Sequence, residues 1–356
     1  MSNRIIFLDT SIFESENYFE GRNINLLFHL SQQNLIDLKI TDIVYREIIN
    51  RLTNNIIKAT NLFKTQKISF ENDARILRNI KTLEDYFKKV DFKKIKENAV
   101  SEIKQKFEEI LKNNSIEIID TSIANIKEIT DDYFATKPPF KEGLKKTEFP
   151  DAISINTMKL WCIQNSKECF FISNDKDFEN YKDKNINCSY NLSSILEFLY
   201  KENNDVQFEV ISKIYDKLKD EVLSYLYSDS AIVNSLESTV YNHINDDAWY
   251  EDVTASFHNV EEIEIEIALI NEIKEKEFTY EIEANITFTV EVDYIDLTQA
   301  FYDREDDFWL GEERKSGIEK YKTNIIVYPI FNYDLNTITG KFIEFVDYEI
   351  RDIEEL

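Results

Sequence analysis

The chain has 356 residues, of which 43% are hydrophobic and 13% are aromatic, with only five glycines and four prolines. This composition excludes a mainly disordered protein, because the chain can bury a large core and has few flexible linkers. The formal net charge is −26, and residues 203–356 hold 12 Lys and Arg against 37 Asp and Glu. So acidic a C-terminal half repels nucleic acid and is not expected to bind it.

The chain also lacks the signals of several other protein classes. It has no run of roughly 18 apolar residues and no signal-peptide pattern at its start. Its three cysteines, Cys162, Cys169 and Cys188, lack CxxC spacing, and the three histidines lie far apart. We therefore expect a soluble cytoplasmic protein without a disulfide framework or a zinc site.

Strands and helices alternate in the first 200 residues. Apolar runs with the length of buried strands lie at 4–9, 35–40, 115–120 and 168–173. Helical patterns lie at 23–33, after the N-cap candidate Thr41, from Pro150 to Trp161, and at 192–200. This alternation predicts an α/β fold with a mostly parallel sheet flanked by helices over residues 1–202, of the size of one domain.

A charged helical segment interrupts this pattern. Between residues 74 and 111, apolar side chains recur at three- and four-residue spacing, which predicts a helical hairpin or arm within an insertion at about 58–112. Residues 46–112 hold 16 basic and 10 acidic side chains. The stretch is either a phosphate-facing surface or an ordinary solvated helical face.

The pattern changes again in the acidic half. Residues 203–245 read as a helical linker, since apolar residues from Phe208 to Leu226 follow a helical period. Beyond it the period becomes two, at 263–267, 280–292, 325–331 and 341–350. Residues 246–356 are therefore expected to form an antiparallel β-rich domain with one face on a core and one wet, acidic face.

Four acidic residues carry most of the functional information. Asp9 and Asp175 follow apolar strands, while Glu47 and Asp151 lie early in helices. In a parallel α/β sheet these positions share one edge, where the carboxyl ends of the strands meet. Carboxylates gathered there repel each other unless a divalent cation neutralises them. The pattern therefore indicates a metal-dependent phosphodiesterase.

With these residues in this order, the first 200 residues resemble a PIN domain nuclease. The run from Lys137 to Ala152 further resembles a bacterial PIN-like subfamily with a long helical insertion. The resemblance implies a Mg²⁺- or Mn²⁺-dependent endonuclease, acting on single-stranded RNA or on a nucleic-acid structure, with in-line attack of water on phosphorus. Two hard cations held by carboxylates suit that chemistry.

The resemblance also assigns roles to neighbouring residues. Asp175 and Asp177 are both candidates for the last catalytic acid of the turn that begins at Ser173. Hydroxyl and amide groups beside the acids are candidates to orient them or to bind phosphate: Thr10, Ser11, Ser173 and Asn174. Basic residues just before Asp151 are candidates to hold the substrate backbone: Lys137, Lys141, Lys145 and Lys146.

Other functions stay open at this point. The chain could be an inert PIN-like scaffold that binds a basic protein, or a DNA-directed nuclease, since RNA and DNA offer the same phosphate. The acidic half could recognise a partner protein, mediate self-association, screen the nuclease groove in a toxin or antiviral defence effector, or only complete the fold. A homodimer is expected because PIN domains often pair.

Overall fold

The structure is a computed structural model that describes residues 4–140, 148–175, 178, 181–203, 205–247, 249–303 and 308–356. The chain divides into two compact units, residues 1–192 and residues 193–356. Among the described residues, no helix is long and apolar enough to cross a membrane.

A parallel five-stranded sheet forms the centre of the N-terminal unit. Its strands, in chain order, are β1 (Arg4–Leu8), β2 (Ile36–Thr41), β3 (Glu117–Ile119), β4 (Cys169–Ile172) and β5 (Ile186–Ser189). Their spatial order is β3-β2-β1-β4-β5, and every neighbouring pair is parallel. The strand order therefore reverses between β1 and β4, the type of position where open α/β sheets bind ligands.

Helices connect these strands and cover the sheet. They are α1 (Thr10–Ser15), α2 (Arg22–Gln32), α3 (Asp42–Asp73), α4 (Phe92–Asn113), α5 (Ile126–Ala135) and α6 (Phe149–Asn165), with short 3₁₀ segments at Arg75–Asn79, Lys81–Phe87 and Thr121–Ile123. The Thr41 side chain accepts a hydrogen bond from the Val44 amide, which confirms it as the N-cap of α3. On one face, α6 packs Met158 and Cys162 against Phe7 and Phe171 of the sheet.

The inserted hairpin differs in extent from the sequence prediction. Helix α3 runs for 32 residues, because no proline or glycine interrupts it, and only at Ala74 does the chain turn into the two 3₁₀ segments. Helix α4 then starts at Phe92, after the N-cap Asp91, whose carboxylate accepts a hydrogen bond from the Lys94 amide. We call residues 58–96, between the middle of α3 and the start of α4, the arm.

Contacts along α4 determine where the arm points. The Phe107 ring lies 5.9 Å from those of Phe13 and Tyr45, which both follow the carboxyl ends of strands. At the other end of α4, the Asn114 carbonyl accepts a hydrogen bond from Ser31, which precedes the start of β2. Helix α4 thus descends from the carboxyl edge of the sheet to its amino edge. Its first turns, and the arm with them, extend beyond the carboxyl edge.

An antiparallel sheet and three helices form the C-terminal unit. The helices are α7 (Leu192–Asn203), which starts at the unit boundary, α8 (Asp205–Leu226) and α9 (Ser230–Asn245). The strands are β6 (Tyr250–Ile273), β7 (Glu277–Asp296), β8 (Phe301–Asp303), β9 (Phe308–Leu310), β10 (Glu313–Asp334) and β11 (Thr339–Glu355). The large sheet has the order β11-β10-β7-β6, and β8 and β9 form a separate pair. The expected fold class, a parallel α/β unit followed by an antiparallel β-rich unit, is confirmed.

The helices of this unit cover one face of the sheet. Ile211 and Val222 of α8 and Val240 of α9 are fully buried in the same core as Ile282 and Phe288 of β7. The strands are longer than their alternating segments predict, since β6 alone spans 24 residues. Repeated register shifts between β6 and β7 explain the difference, because each irregularity breaks the two-residue period in the sequence.

Phe107 anchors the base of the arm, and its truncation should destabilise the N-terminal unit. We expect Phe107→Ala to lower the free energy of unfolding by about 3–5 kcal/mol, since the ring is fully buried among three other aromatic rings. Urea unfolding followed by Trp161 fluorescence, with Trp249 and Trp309 replaced by Phe, measures this unit alone. Ile76→Ala, at a side chain 74% exposed, is the control and should cost less than about 0.5 kcal/mol. Equal effects of the two substitutions would contradict the described anchor.

Candidate active site

Asp9 lies at the point where the strand order reverses. It directly follows β1, and its amide donates to the Ile172 carbonyl of β4 at 3.0 Å. Its Oδ2 accepts hydrogen bonds from the hydroxyls of Ser11 at 2.6 Å and Ser173 at 2.8 Å, and from the Ser11 amide at 3.3 Å. The carboxylate therefore caps α1 and is held in one orientation from both strands.

Glu47 is tied to the same edge by the residue after Asp9. The hydroxyl of Thr10 donates to Glu47 Oε2 at 2.8 Å. Thr10 is buried, whereas Glu47 keeps partial exposure, so the hydroxyl fixes a carboxylate that still reaches solvent. Two consecutive residues thus serve one site, because Asp9 supplies an acid and Thr10 orients another.

The loop after β4 joins this network through its hydroxyl and amide groups. Ser173 is buried, and its Oγ accepts a hydrogen bond from the Asp175 amide at 3.1 Å while it donates to Asp9. Asn174 donates from its amide to Ser11 Oγ at 2.9 Å and from its side chain to Ser15 Oγ at 2.8 Å. The Asp175 side chain is exposed, so the loop is fixed while the acid faces solvent.

Asp151 is placed by the first turn of α6. Three residues along the same helix, Ser154 makes a buried 2.9 Å hydrogen bond with Thr41, the last residue of β2. Residues three apart share a helix face, so this bond directs the start of α6, and Asp151 with it, to the carboxyl edge. The sequence analysis does not identify Ser154 as a site residue. Its position three residues after Asp151, on the same helix face, is the sequence signal that could have indicated it.

A polar cluster also fixes α6 to α5. The Lys159 ammonium forms an ion pair with Glu128 of α5, and the Asn156 side chain donates to the same carboxylate at 3.1 Å. The hydrogen bond that Lys159 donates to Glu128 lowers the pKa of Glu128 and raises the pKa of Lys159. Both groups are therefore charged over a wide pH range, and the pair holds the two helices together.

The structure brings some expected site residues together and leaves others undescribed. Hydrogen bonds join Asp9, Ser11, Ser173, Asn174 and the Asp175 amide in one network. Thr10 and Glu47 form a separate pair beside it, and Asp151 lies in the first turn of the helix that Ser154 bonds to the end of β2. Asp177 and the basic residues Lys141, Lys145 and Lys146 lie outside the described residues. Lys137 is described, and it forms an ion pair with Asp132 at 3.0 Å. Within the described part of the chain, no group of three or more His, Cys, Asp or Glu is arranged to hold a metal ion.

The donor set nevertheless matches a hard divalent cation in chemical type. Four carboxylates are directed to one edge, and oxygen ligands of this kind are those that Mg²⁺ and Mn²⁺ take. Hydroxyl groups donate hydrogen bonds to Asp9 Oδ2 and Glu47 Oε2. Hydrogen-bond partners of this kind orient the carboxylate ligands of metal sites. The acids thus fit a cation in chemical type, although the described residues do not form a group that could hold one.

Comparison with known proteins agrees with this architecture. Residues 6–178 match the family model of the PIN domain. The N-terminal unit is a PIN domain. No curated protein and no solved structure shows a significant match to the chain. PIN domains are generally nucleases that act on nucleic acid, and they usually use Mg²⁺ or Mn²⁺. Asp9, Glu47, Asp151 and Asp175 all lie within the matched part of this PIN domain.

The Glu128–Lys159 pair predicts a pH-dependent part of the stability. Because the folded pKa of Glu128 lies below its ordinary value of 4.5, the pair stabilises the PIN domain above that pH. This contribution is lost as the pH falls through the lowered pKa. We expect Glu128→Gln to be less stable than the wild type by about 1 kcal/mol at neutral pH, since both side chains are partly exposed. The difference should shrink in acid.

Urea unfolding of both proteins between neutral and acidic pH, followed through Trp161 as above, checks this expectation. Asp131→Asn, at an exposed acid on the same helix, should show no such difference. A constant difference between Glu128→Gln and the wild type at every pH would rule out the ion pair as its cause.

Proposed function

We propose that this protein is a Mg²⁺- or Mn²⁺-dependent endonuclease that cleaves single-stranded RNA. The observation that carries the proposal is the pair of oriented carboxylates where the strand order of a PIN domain reverses. Asp9 Oδ2 is held by Ser11 and Ser173, and Glu47 Oε2 is held by Thr10. Two carboxylates oriented in this way offer oxygen ligands to a divalent cation, which would neutralise their charge.

The residues proposed to hold the ion are Asp9, Glu47, Asp151 and Asp175, with Asp177 as the alternative to Asp175. A bound Mg²⁺ or Mn²⁺ supplies a water of lowered pKa and neutralises charge on the phosphate. Thr10, Ser11 and Ser173 keep the carboxylates in position by the hydrogen bonds described. Asn174 fixes the loop that carries Asp175 by bonding Ser11 and Ser15. Lys141, Lys145 and Lys146 are proposed to bind the substrate backbone.

The charge distribution supports a substrate bound by the PIN domain. Residues 203–356 carry a net charge of −25 and repel phosphates, whereas residues 46–112 carry +6. We assign the acidic unit to regulation through a protein partner, as in a toxin or antiviral defence effector. The choice of RNA over DNA rests on the family alone, so matched RNA and DNA strands belong in each cleavage assay. A homodimer stays a prediction.

An inert PIN-like scaffold is the second candidate function. One observation favours it, since the described residues contain no closed group of three metal-ligating side chains. A scaffold has no need to bind Mn²⁺ at the carboxyl edge of the sheet. Metal binding there therefore separates the two candidates without any knowledge of the substrate.

Replacing Asp151 should abolish cleavage without unfolding the protein. We expect Asp151→Asn to lower cleavage of a 5′-labelled single-stranded RNA in Mn²⁺ by more than about 100-fold, beyond the loss typical of residues that only orient a ligand. The unfolding midpoint should stay the same or rise, because the change relieves like-charge repulsion. Asp131→Asn is the matched control. Wild-type cleavage by Asp151→Asn would remove Asp151 from the site.

Thr10 offers a test of orientation that leaves every acid in place. Thr10→Val keeps the shape of the side chain and removes the hydroxyl that donates to Glu47. We expect cleavage to fall by roughly 10- to 100-fold, with partial recovery at higher Mn²⁺ concentration because the ligands remain. Thr53→Val, on the same helix as Glu47, removes a hydroxyl that donates to the Ile49 carbonyl within the helix, and this variant should cleave normally. Unchanged Mn²⁺ dependence in Thr10→Val would show that the bond does not orient Glu47 for a metal.

A further inference from the structure

The arm is a basic segment of the PIN domain. Residues 58–96 contain 11 Lys and Arg and only five Asp and Glu. Several of these cations form ion pairs with nearby acids, such as Lys67 with Glu71 and Lys88 with Asp85. Six exposed cations form no ion pair within the described part of the chain: Lys58, Lys64, Arg75, Lys81, Lys89 and Lys94. These side chains stay available for an anionic ligand.

Aromatic rings lie among these cations. Phe63 contacts Phe92 at 5.5 Å, and Phe70 stacks on Phe87 at 5.3 Å, so α3 is joined to the returning chain by rings. Phe63 and Phe70 stay 49% and 41% exposed, and Tyr86 is 63% exposed. An exposed ring beside lysines offers a base a stacking surface and offers the neighbouring phosphates their counterions.

The position of the arm connects it to the candidate active site. Helix α3 carries Glu47 in its second turn and continues without a break into the arm. The contacts of Phe107 and Asn114 show that the arm extends beyond the carboxyl edge of the sheet, which is the edge that holds the acids. From Glu47 to Asp73 the helix rises about 39 Å at 1.5 Å per residue.

We propose that the arm is a binding track for the single-stranded RNA substrate and sets the length of RNA that the enzyme prefers. This inference rests on the proposed nuclease function. At roughly 3.4 Å per stacked nucleotide, 39 Å corresponds to about 11 nucleotides. A strand that reaches from the acids to the tip of the arm gains phosphate contacts and ring stacking. A strand of about 5 nucleotides reaches the acids alone.

Exposed aliphatic side chains on the arm, such as Leu62 and Ile76, would also suit a protein partner. Net positive charge and unpaired lysines favour RNA, because a basic surface binds phosphates without demanding a matched shape. The aliphatic positions are scattered over helix and 3₁₀ segments, whereas the cations occur throughout the arm. A protein partner is therefore the competing outcome of the test.

The first measurement is binding, which does not require cleavage. Fluorescence anisotropy of a labelled RNA of about 20 nucleotides, well above the track length, is recorded in EDTA with the full chain at several salt concentrations. Lys64→Gln/Lys89→Gln/Lys94→Gln should weaken binding about tenfold or more and reduce the salt slope by about 2, given roughly 0.7 per phosphate contact on a single strand. The control Lys167→Gln/Lys182→Gln/Lys184→Gln changes three exposed lysines just before β4 and β5, at the opposite edge of the sheet.

Two further measurements distinguish RNA binding along the arm from nonspecific attraction to its positive charge. Tyr86→Ala should weaken binding roughly fivefold or more, and Tyr86→Phe should restore it, because the phenyl ring still stacks. In cleavage assays, wild-type KM should fall as the RNA lengthens to about 11 nucleotides and then level off. The arm variant should lose this dependence and cleave a strand of about 5 nucleotides as the wild type does.

Each outcome bears on the proposal. If the arm variant and the control variant weaken RNA binding equally, or if neither weakens it, the proposed binding track is wrong. A protein partner is then the remaining candidate ligand of the arm. Cleavage whose KM ignores RNA length would overturn the track as well. Arm-dependent binding in a protein that never cleaves would support the track and instead contradict the nuclease function. The two failures are thereby distinguishable.

Discussion

The hydrogen bonds that hold the Asp9 carboxylate at the reversal of strand order are the interaction on which the rest of the site depends. The parallel sheet brings the ends of β1 and β4 together, and the chain places Asp9 and the Ser173 loop there. Hydrogen-bond donors and nearby cations both favour the ionised form of a carboxylate at that edge. Asp9 Oδ2 receives three donors and Glu47 receives Thr10. Thr10 and Ser11 both lie in the first turn of α1, so this helix positions these donors to the two acids.

Helix α3 links the chemistry of the edge to the surface beyond it. Its N-cap Thr41 also bonds Ser154, so one residue starts the helix with Glu47 and positions the helix with Asp151. Farther along, the same helix becomes one side of the arm. The contacts around Phe107 then fix the arm to α1 and to the start of α3. Glu47 and one side of the arm thus belong to the same continuous helix.

Much of the fold was readable from the sequence because its signals are local. Apolar runs predicted four of the five parallel strands, and Thr41 was recognisable as a cap by residue type and position. β5, with only four residues and one of them fully buried, was too weak a signal to stand alone. The full length of α3 was missed because the second half of the helix has an exposed surface and therefore no clear apolar stripe.

The positions of the four acids after strands or early in helices were predictable from the sequence, but their hydrogen-bond partners were not. Asp9 and Asp175 follow strands, so topology alone directs them to one edge. The bond between Thr41 and Ser154 joins residues more than 100 positions apart, and only the folded chain shows it. The same holds for Thr10 and Glu47, because a hydroxyl beside an acid is common in sequence and acquires its role from what it contacts.

The most direct test of the central claim is the position of Mn²⁺ in crystals of the full chain, located by its anomalous scattering. We expect Mn²⁺ at the carboxyl edge of the parallel sheet, bound by Asp9 and by at least one of Glu47, Asp151 and Asp175, and lost in Asp9→Asn. Mn²⁺ bound only to the acidic C-terminal unit, or an edge occupied equally in Asp9→Asn, would contradict this claim.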